Sequence, residues 1–259
     1  MSDLVKVEPG IKGLMASEAV RAKFAEILGK NANAFISSVT TLATTTKLSE
    51  CNPKSILSSA VAAASLNLQV TPSLGFAAIV PYKSRDGMMA QFQVMAKGFL
   101  QLALRTGQFR TINVTEICDG EMKSLNRLTG EFDFSGEKKS DKVIGYAAYF
   151  ELINGFSKSL YMTTEQIEQH GKKFSKTYDF SGSSWKTNFD AMARKTVLKL
   201  LLSRYAPLSV EMQSAITHDQ SIVTTDENLD IADFTYIDNE DQPEEIVIPE
   251  DVKPNRKTQ

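Results

Sequence analysis

A chain of 259 residues that is 42% hydrophobic can bury a substantial core, and its length fits one large domain or one domain with a tail. Cys51 and Cys118 lack CxxC spacing, which argues against a disulfide or zinc framework and for two small buried apolar side chains. No charged leader precedes an apolar run and no stretch of about 18 uncharged apolar residues occurs, so the expectation is a cytosolic protein without a membrane span.

The formal charge of −2 hides two opposed parts. From Asp219 onward there are 12 acids and 3 bases, a net of −9, which leaves 26 bases and 19 acids, a net of +7, in the preceding chain. Such a division suggests a body that binds a polyanion and a solvated acidic tail, although tails of this composition also serve as plain solubilisers.

Residues 16–46 read as one or two helices. Val20, Phe24, Ile27 and Leu28 form an amphipathic stripe, and Gly29 is placed to end it. Asn52 can cap the next helix, with Pro53 at its first position and a run of Ala and Ser suited to close packing. From Leu74 the pattern changes to strands. LGFAAIVPY, a turn at SRDG and the alternation of MAQFQVMA predict a hairpin that runs into the helix KGFLQLALRTG, closed by Gly107. On that helix Lys97, Gln101 and Arg105 share one face, while Phe99, Leu102 and Ala103 share another. The whole stretch from Val80 to Arg110 holds five bases, Lys83, Arg85, Lys97, Arg105 and Arg110, against the single acid Asp86.

Strands are also predicted at RTINVTEIC, VIGYAAYFEL and SKSLYMT, the last two joined by Asn154 and Gly155 as a type I′ turn. Thr163 and Gln166 have capping-box spacing for a short helix ending near His170. A polar loop follows, then a helix from Trp185 to Pro207 with an apolar stripe of Trp185, Phe189, Met192, Thr196 and Leu200 and a basic edge of Lys195 and Lys199. Beyond about Thr217 periodicity fades and acids dominate, which reads as a disordered tail with one apolar island, Ile246 to Glu250.

Catalytic constellations are scarce. No GxxxxGK[ST] loop is present, which disfavours an ATP-driven motor. His170 and His218 stand outside any HExxH or Cys/His cluster. Glu137-Lys138-Lys139 with Asp133 or Asp119 superficially resembles a metal-nuclease arrangement, but FSGEKKSD reads as loop rather than as converging strands. No nucleotide, metal or other cofactor is therefore expected.

Binding a nucleic-acid strand without reading its sequence requires spaced cations together with flat or polar side chains. The Val80–Arg110 stretch supplies both, with Tyr82, Gln91 and Gln93 beside its cations. So does His170 to Arg204, where Lys172, Lys173, Lys176, Lys186, Arg194, Lys195, Lys199 and Arg204 outnumber Asp179 and Asp190, and Phe174, Tyr178, Phe180 and Trp185 lie between them. The bland alternative is that these aromatics are core and the lysines a wet surface.

The blocks NPKSILSSAVAAASLNLQVTPSLGFAAIVPYK, AQFQVMAKGFLQLALRTGQF, INVTEICDGE, GYAAYFELINGF and WKTNFDAMARKTVLKLLLS resemble the RecT family of phage single-strand annealing proteins, in the Red beta/RecT superfamily, over roughly residues 50–212. The resemblance implies an α+β fold of antiparallel hairpins packed with helices. It divides the chain into an N-terminal helical segment at 1–50 for oligomer contacts, an annealing core at 51–217 and an acidic flexible tail at 218–259. It further implies an ATP-independent, non-catalytic protein, encoded by a phage or prophage and acting in the bacterial cytoplasm. Rings or filaments of it would bind single-stranded DNA and the annealed duplex. Its partners would be an exonuclease and a host single-stranded DNA-binding protein. Lys83, Arg85, Lys97 and Arg105 are implied as backbone contacts with Gln91 or Gln93 near sugars or bases, and Arg110, Lys172, Lys186, Arg194, Lys195 and Lys199 complete the candidate set. Tyr205 stands where the family pattern suggests tryptophan. A metal-dependent nuclease and a non-catalytic adaptor remain the competing readings.

Overall fold

The computed structural model describes residues 10–85, 87–126 and 128–236. Two short helices, α1 (Ile11–Ala16) and α2 (Glu18–Leu28), meet at Ser17, whose hydroxyl accepts from the Val20 amide. Gly29, at φ 54°, ends α2, and α3 (Ala32–Thr45) follows. Asn52 caps α4 (Pro53–Ser65) by accepting from the Lys54 amide at 2.9 Å, with Pro53 where no amide is needed. Every residue of α4 from Ser55 to Ala64 is buried. Its small side chains let α1, α2 and a sheet approach on several sides, and Ser55 and Ser59 bond to the Ala90 amide and carbonyl.

The predicted hairpin is β1 (Ala77–Ser84) and β2 (Gly87–Val94), paired Ala77 to Val94 through Ser84 to Gly87, followed by α5 (Ala96–Arg105). Next come β3 (Phe109–Cys118), the short pair β4 (Ser124–Asn126) and β5 (Glu131–Asp133), and the longer β6 (Val143–Leu152) and β7 (Ser157–Thr163). Helices α6 (Thr164–Phe174), α7 (Ser184–Thr187), α8 (Phe189–Tyr205) and α9 (Val210–His218) precede β8 (Ser221–Thr225) and β9 (Ile231–Tyr236). The strands form an antiparallel sheet ordered β1-β2-β8-β9 and a second ordered β3-β6-β7, with β4-β5 lying beside β7. The fold is α+β, as the sequence predicts. Buried residues occur on every side of α8, which packs against the second sheet and against α5. Among the described residues no helix is long and apolar enough to cross a membrane.

Three local expectations change. Asn188, at φ −151° and ψ 61°, leaves helical geometry and divides the expected long helix into α7 and α8. Asn154 is not in the left-handed region, so no type I′ turn forms; four residues connect β6 to β7, and Asn154 Oδ1 accepts from the Phe156 amide. The third change concerns the tail. Residues 221–236 form β8 and β9 inside the first sheet, with Phe92 opposite Ser221, although their composition reads as part of a flexible segment. The apolar island at 246–250 lies outside the described residues.

Gly98 shows how tightly α5 is seated. A Cβ there would stand 2.1 Å from the Phe76 carbonyl oxygen and 2.9 Å from a Val94 methyl, and the Phe76 oxygen already accepts from the Met95 amide. Gly98→Ala should therefore lower the unfolding free energy by about 1–3 kcal/mol despite alanine's better helix propensity. A thermal melt checks this, and a raised midpoint would contradict the packing described.

Candidate nucleic-acid interface

Strand alternation puts Ala78, Val80 and Tyr82 of β1 on the same hairpin face as Gln91 and Gln93 of β2, because the register pairs Val80 with Gln91 and Ala78 with Gln93. This face is opposite the one that carries Ile79 and Phe92 into the core. Its glutamines meet the segment between α6 and α8. Tyr82, Gln91, Gln93, Ser175, Thr177, Ser183, Ser184, Trp185, Met192 and Gln220 together line a slot of about 40 Å³. Gln91 is only 5% exposed, and Gln93 Nε2 donates to its Oε1 at 2.9 Å. The slot is lined by neutral groups.

Cations and rings flank it. Trp185 packs against Tyr178, with ring centroids 5.5 Å apart, and against Phe189 at 6.1 Å. Gly171 permits this, since a Cβ on it would come within 2.7 Å of the Tyr178 ring. Lys186 Nζ lies 4.5 Å and Lys172 Nζ 5.8 Å from the Tyr178 centroid, and they also approach Asp179 and Glu168 at 3.6 and 4.0 Å. The distances to the ring are within cation–π range. Two candidate segments distant in sequence are thus brought to one place. At the end of the hairpin Lys83 and Arg85 are exposed, as is Lys97 at the start of α5, and none of the three has an acidic partner among the described residues.

The remaining candidates are engaged within the protein. Arg105, about 12 Å along α5 from Lys97 by helix rise, donates to the carbonyls of Leu66 and Asn67 just past the end of α4 at 2.8 and 2.9 Å. Arg110 pairs with Glu151 across β3 and β6 at 2.8 Å. Arg194 donates to Glu116; a backbone hydrogen bond and this guanidinium hold the Glu116 carboxyl below its ordinary range. One turn earlier on α8, Tyr146 donates to Asp190, and burial followed by that carboxylate pushes the phenol upward.

The expected basic edge of α8 is inverted. Lys195 is 2% exposed, and its Nζ is 2.9 Å from Asp219 Oδ1, while Lys199 Nζ is 3.0 Å from Oδ2. Asp219 is itself 1% exposed and its Oδ1 also accepts from the Val94 amide at 2.9 Å. Burial acts to raise the Asp219 carboxyl, but the Lys195 and Lys199 ammonium groups outweigh it and hold the carboxyl below its ordinary range. A phosphate cannot reach Lys195 while this arrangement stands. Composition placed Asp219 in the tail, yet the signal that it precedes structure is legible: SIVTT, then DENLD, then IADFTY has strand, turn and strand character. Asp226 confirms the turn by accepting from the Asn228 and Asp230 amides, both at 2.9 Å. Of the supposed nuclease residues, Asp133 bonds to the Ser135 amide and Lys138 pairs with Asp141 at 2.7 Å.

The class the structure defines is an α+β protein of antiparallel sheets packed with helices, with a neutral polar slot whose Trp185 packs against a tyrosine ring that two lysines approach. Residues 33–233 match the model of the RecT family, and the chain belongs to that family of single-strand annealing proteins. It is 47% identical over 249 residues to the uncharacterised protein YqaK of Bacillus subtilis (strain 168), covering 95% of this chain and 81% of that one. It is also 25% identical over 245 residues to Protein RecT of Escherichia coli (strain K12), covering 91% and 87%.

Asp219→Asn leaves two ammonium groups without their carboxylate and should lower stability at pH 7 by about 3 kcal/mol, the scale for breaking a buried pair. Because the folded carboxyl titrates below its unfolded value near 3.9, the unfolded chain takes up the proton first. The stabilisation is complete above about pH 4 and disappears as pH falls through the folded value. Urea melts should show the gap between wild type and variant closing below about pH 4. A gap independent of pH would exclude Asp219 as the titrating group.

Proposed function

We propose that this protein coats single-stranded DNA as a homo-oligomer and anneals it to a complementary strand without ATP and without a catalytic site. The bound strand runs past the slot between the β1–β2 hairpin and the α6–α8 segment. Lys83, Arg85, Lys97, Lys172 and Lys186 contact its phosphates, and Gln91 and Gln93 contact bases or sugars. The observation that supports this reading is the convergence of neutral hydrogen-bonding groups and ring-supported lysines, drawn from two distant segments, in a chain that matches the RecT family. Phosphate contacts of this kind give affinity without sequence information, and neutral side chains touch any base. Base pairing with the second strand supplies the free energy of annealing.

Arg105, Arg110, Arg194, Lys195 and Lys199 act on this reading as scaffold cations, since carbonyls or carboxylates of the protein already hold them. The acids beyond residue 236 offer a docking charge for a protein partner, either the exonuclease that produces the single strand or a host single-stranded DNA-binding protein. A phage or prophage origin and action in the bacterial cytoplasm complete the proposal.

Two complementary oligonucleotides mixed with the protein, without nucleotide, should anneal faster than alone; unchanged annealing contradicts the proposal, and magnesium-dependent loss of a labelled strand would favour a nuclease. Affinity should fall linearly with salt on logarithmic axes, by about 0.7 per phosphate contact. Replacing Lys83, Arg85 and Lys97 together by Gln should flatten that slope by about 2. Lys195→Met should leave the slope unaltered while reducing stability.

A further inference from the structure

The segment that runs from α6 to α8 carries Phe174, Tyr178, Phe180 and Trp185, and the fold uses three of these rings. Trp185 and Tyr178 pack together at 6% and 5% exposure, and Phe174 is half-buried beside His170, with ring centroids 4.6 Å apart. Phe180 is 67% exposed. A single exposed apolar side chain is ordinary on a protein surface, but the setting of this one is not. Its amide donates to the Thr177 carbonyl at 3.1 Å, and its carbonyl accepts from the Ser183 amide at 2.9 Å. Thr177 and Ser183 both line the slot, so the ring stands on a turn that is hydrogen-bonded on either side to the slot's own wall. Its neighbours Asp179, Ser181, Gly182, Ser183 and Ser184 are ordinary turn formers, and a phenylalanine adds nothing to such a turn.

Room and charge at this turn suit a ligand. A Cβ added at Gly182 would meet nothing within 4 Å, so the space beside the turn is open. Lys172 and Lys186 approach the adjoining Tyr178 ring, and Lys186 also compensates Asp179, the acid next to Phe180, at 3.6 Å. We infer that Phe180 is a base-stacking residue, its ring lying against the face of one unpaired nucleobase of the strand whose phosphates Lys172 and Lys186 contact. The inference rests on the reading above and names the part of the strand that this surface takes: a flat π face rather than a hydrogen-bonding edge. Every base has such a face, so the contact adds affinity without sequence preference. It also leaves the Watson–Crick edge free, which annealing requires.

Binding of the full-length wild type and of Phe180→Ala to oligodeoxyadenylate, and to an abasic strand of equal length, tests this. The variant should bind oligodeoxyadenylate about 5- to 150-fold more weakly, the range for loss of one base–aromatic stack, and should bind the abasic strand as wild type does. Its salt slope should be unaltered, since no charge is removed. Phe180→Leu, of similar bulk without a π face, should behave as the alanine variant does, whereas Phe180→Trp should retain the preference for the base-bearing strand. Wild-type affinity in Phe180→Ala, an equal loss on both strands, or full rescue by leucine overturns the inference and leaves the annealing reading intact. Failure of the wild-type protein to bind either strand overturns both. A smaller oligomer for Phe180→Ala without DNA, at unaltered DNA affinity, would assign the ring to a contact between protomers and likewise overturn the inference.

Discussion

The architecture depends on one buried carboxylate. Asp219 reaches Lys195 and Lys199 on α8 and the Val94 amide at the end of β2, so three segments far apart in sequence meet at a single side chain. The next residue continues the attachment, the Gln220 amide donating to the Phe92 carbonyl at 3.0 Å. These bonds seat β8 against β2 and relate both to α8. Since Gln91 and Gln93 stand on β2 and Met192 on α8, the same anchor sets the distance across the slot. Taking such charges out of water is unfavourable unless geometry and pairing are complete, which the two ammonium groups and the amide provide.

That arrangement separates two kinds of cation which a charge count merges. Lysines and arginines on α8 and at the end of α5 are used to hold elements together, through Asp219, Glu116 and the carbonyls following α4. Cations at the hairpin end, at the start of α5 and around Tyr178 remain on the surface. The slot lined by Gln91, Gln93 and Trp185 has no charged lining. Affinity from the rim and indifference from a neutral floor together suit a strand that must be held while its bases stay available.

Much of the fold was legible because its signals are local. Asn52 with Pro53, Thr163 with Gln166, and the alternation on either side of Gly87 each specify an element within a few residues. The candidate site was legible in its segments, since both basic, aromatic stretches do contribute to one place. Individual roles were not, because a lysine's use depends on what lies opposite it. Lys195 and Lys199 repeat at helical spacing like a wet edge, and only Asp219, just before β8, pairs with both of them and leaves Lys195 buried. The acids around β8 and β9 obscured that role, since composition averages over a window while Asp219 acts alone. Arg105 shows the same dependence: the carbonyls it meets, just past the end of α4, lie almost forty residues earlier.

The central claim is that the β1–β2 hairpin and the α6–α8 segment form one DNA-facing surface. Hydrogen–deuterium exchange of the full-length protein, with and without single-stranded DNA, tests it most directly. The account predicts that DNA slows exchange in residues 77–94 and 175–188 together, leaving the outer face of the β3-β6-β7 sheet as it was. Protection confined to that outer sheet face, with the hairpin and the 175–188 segment unaffected, would contradict it.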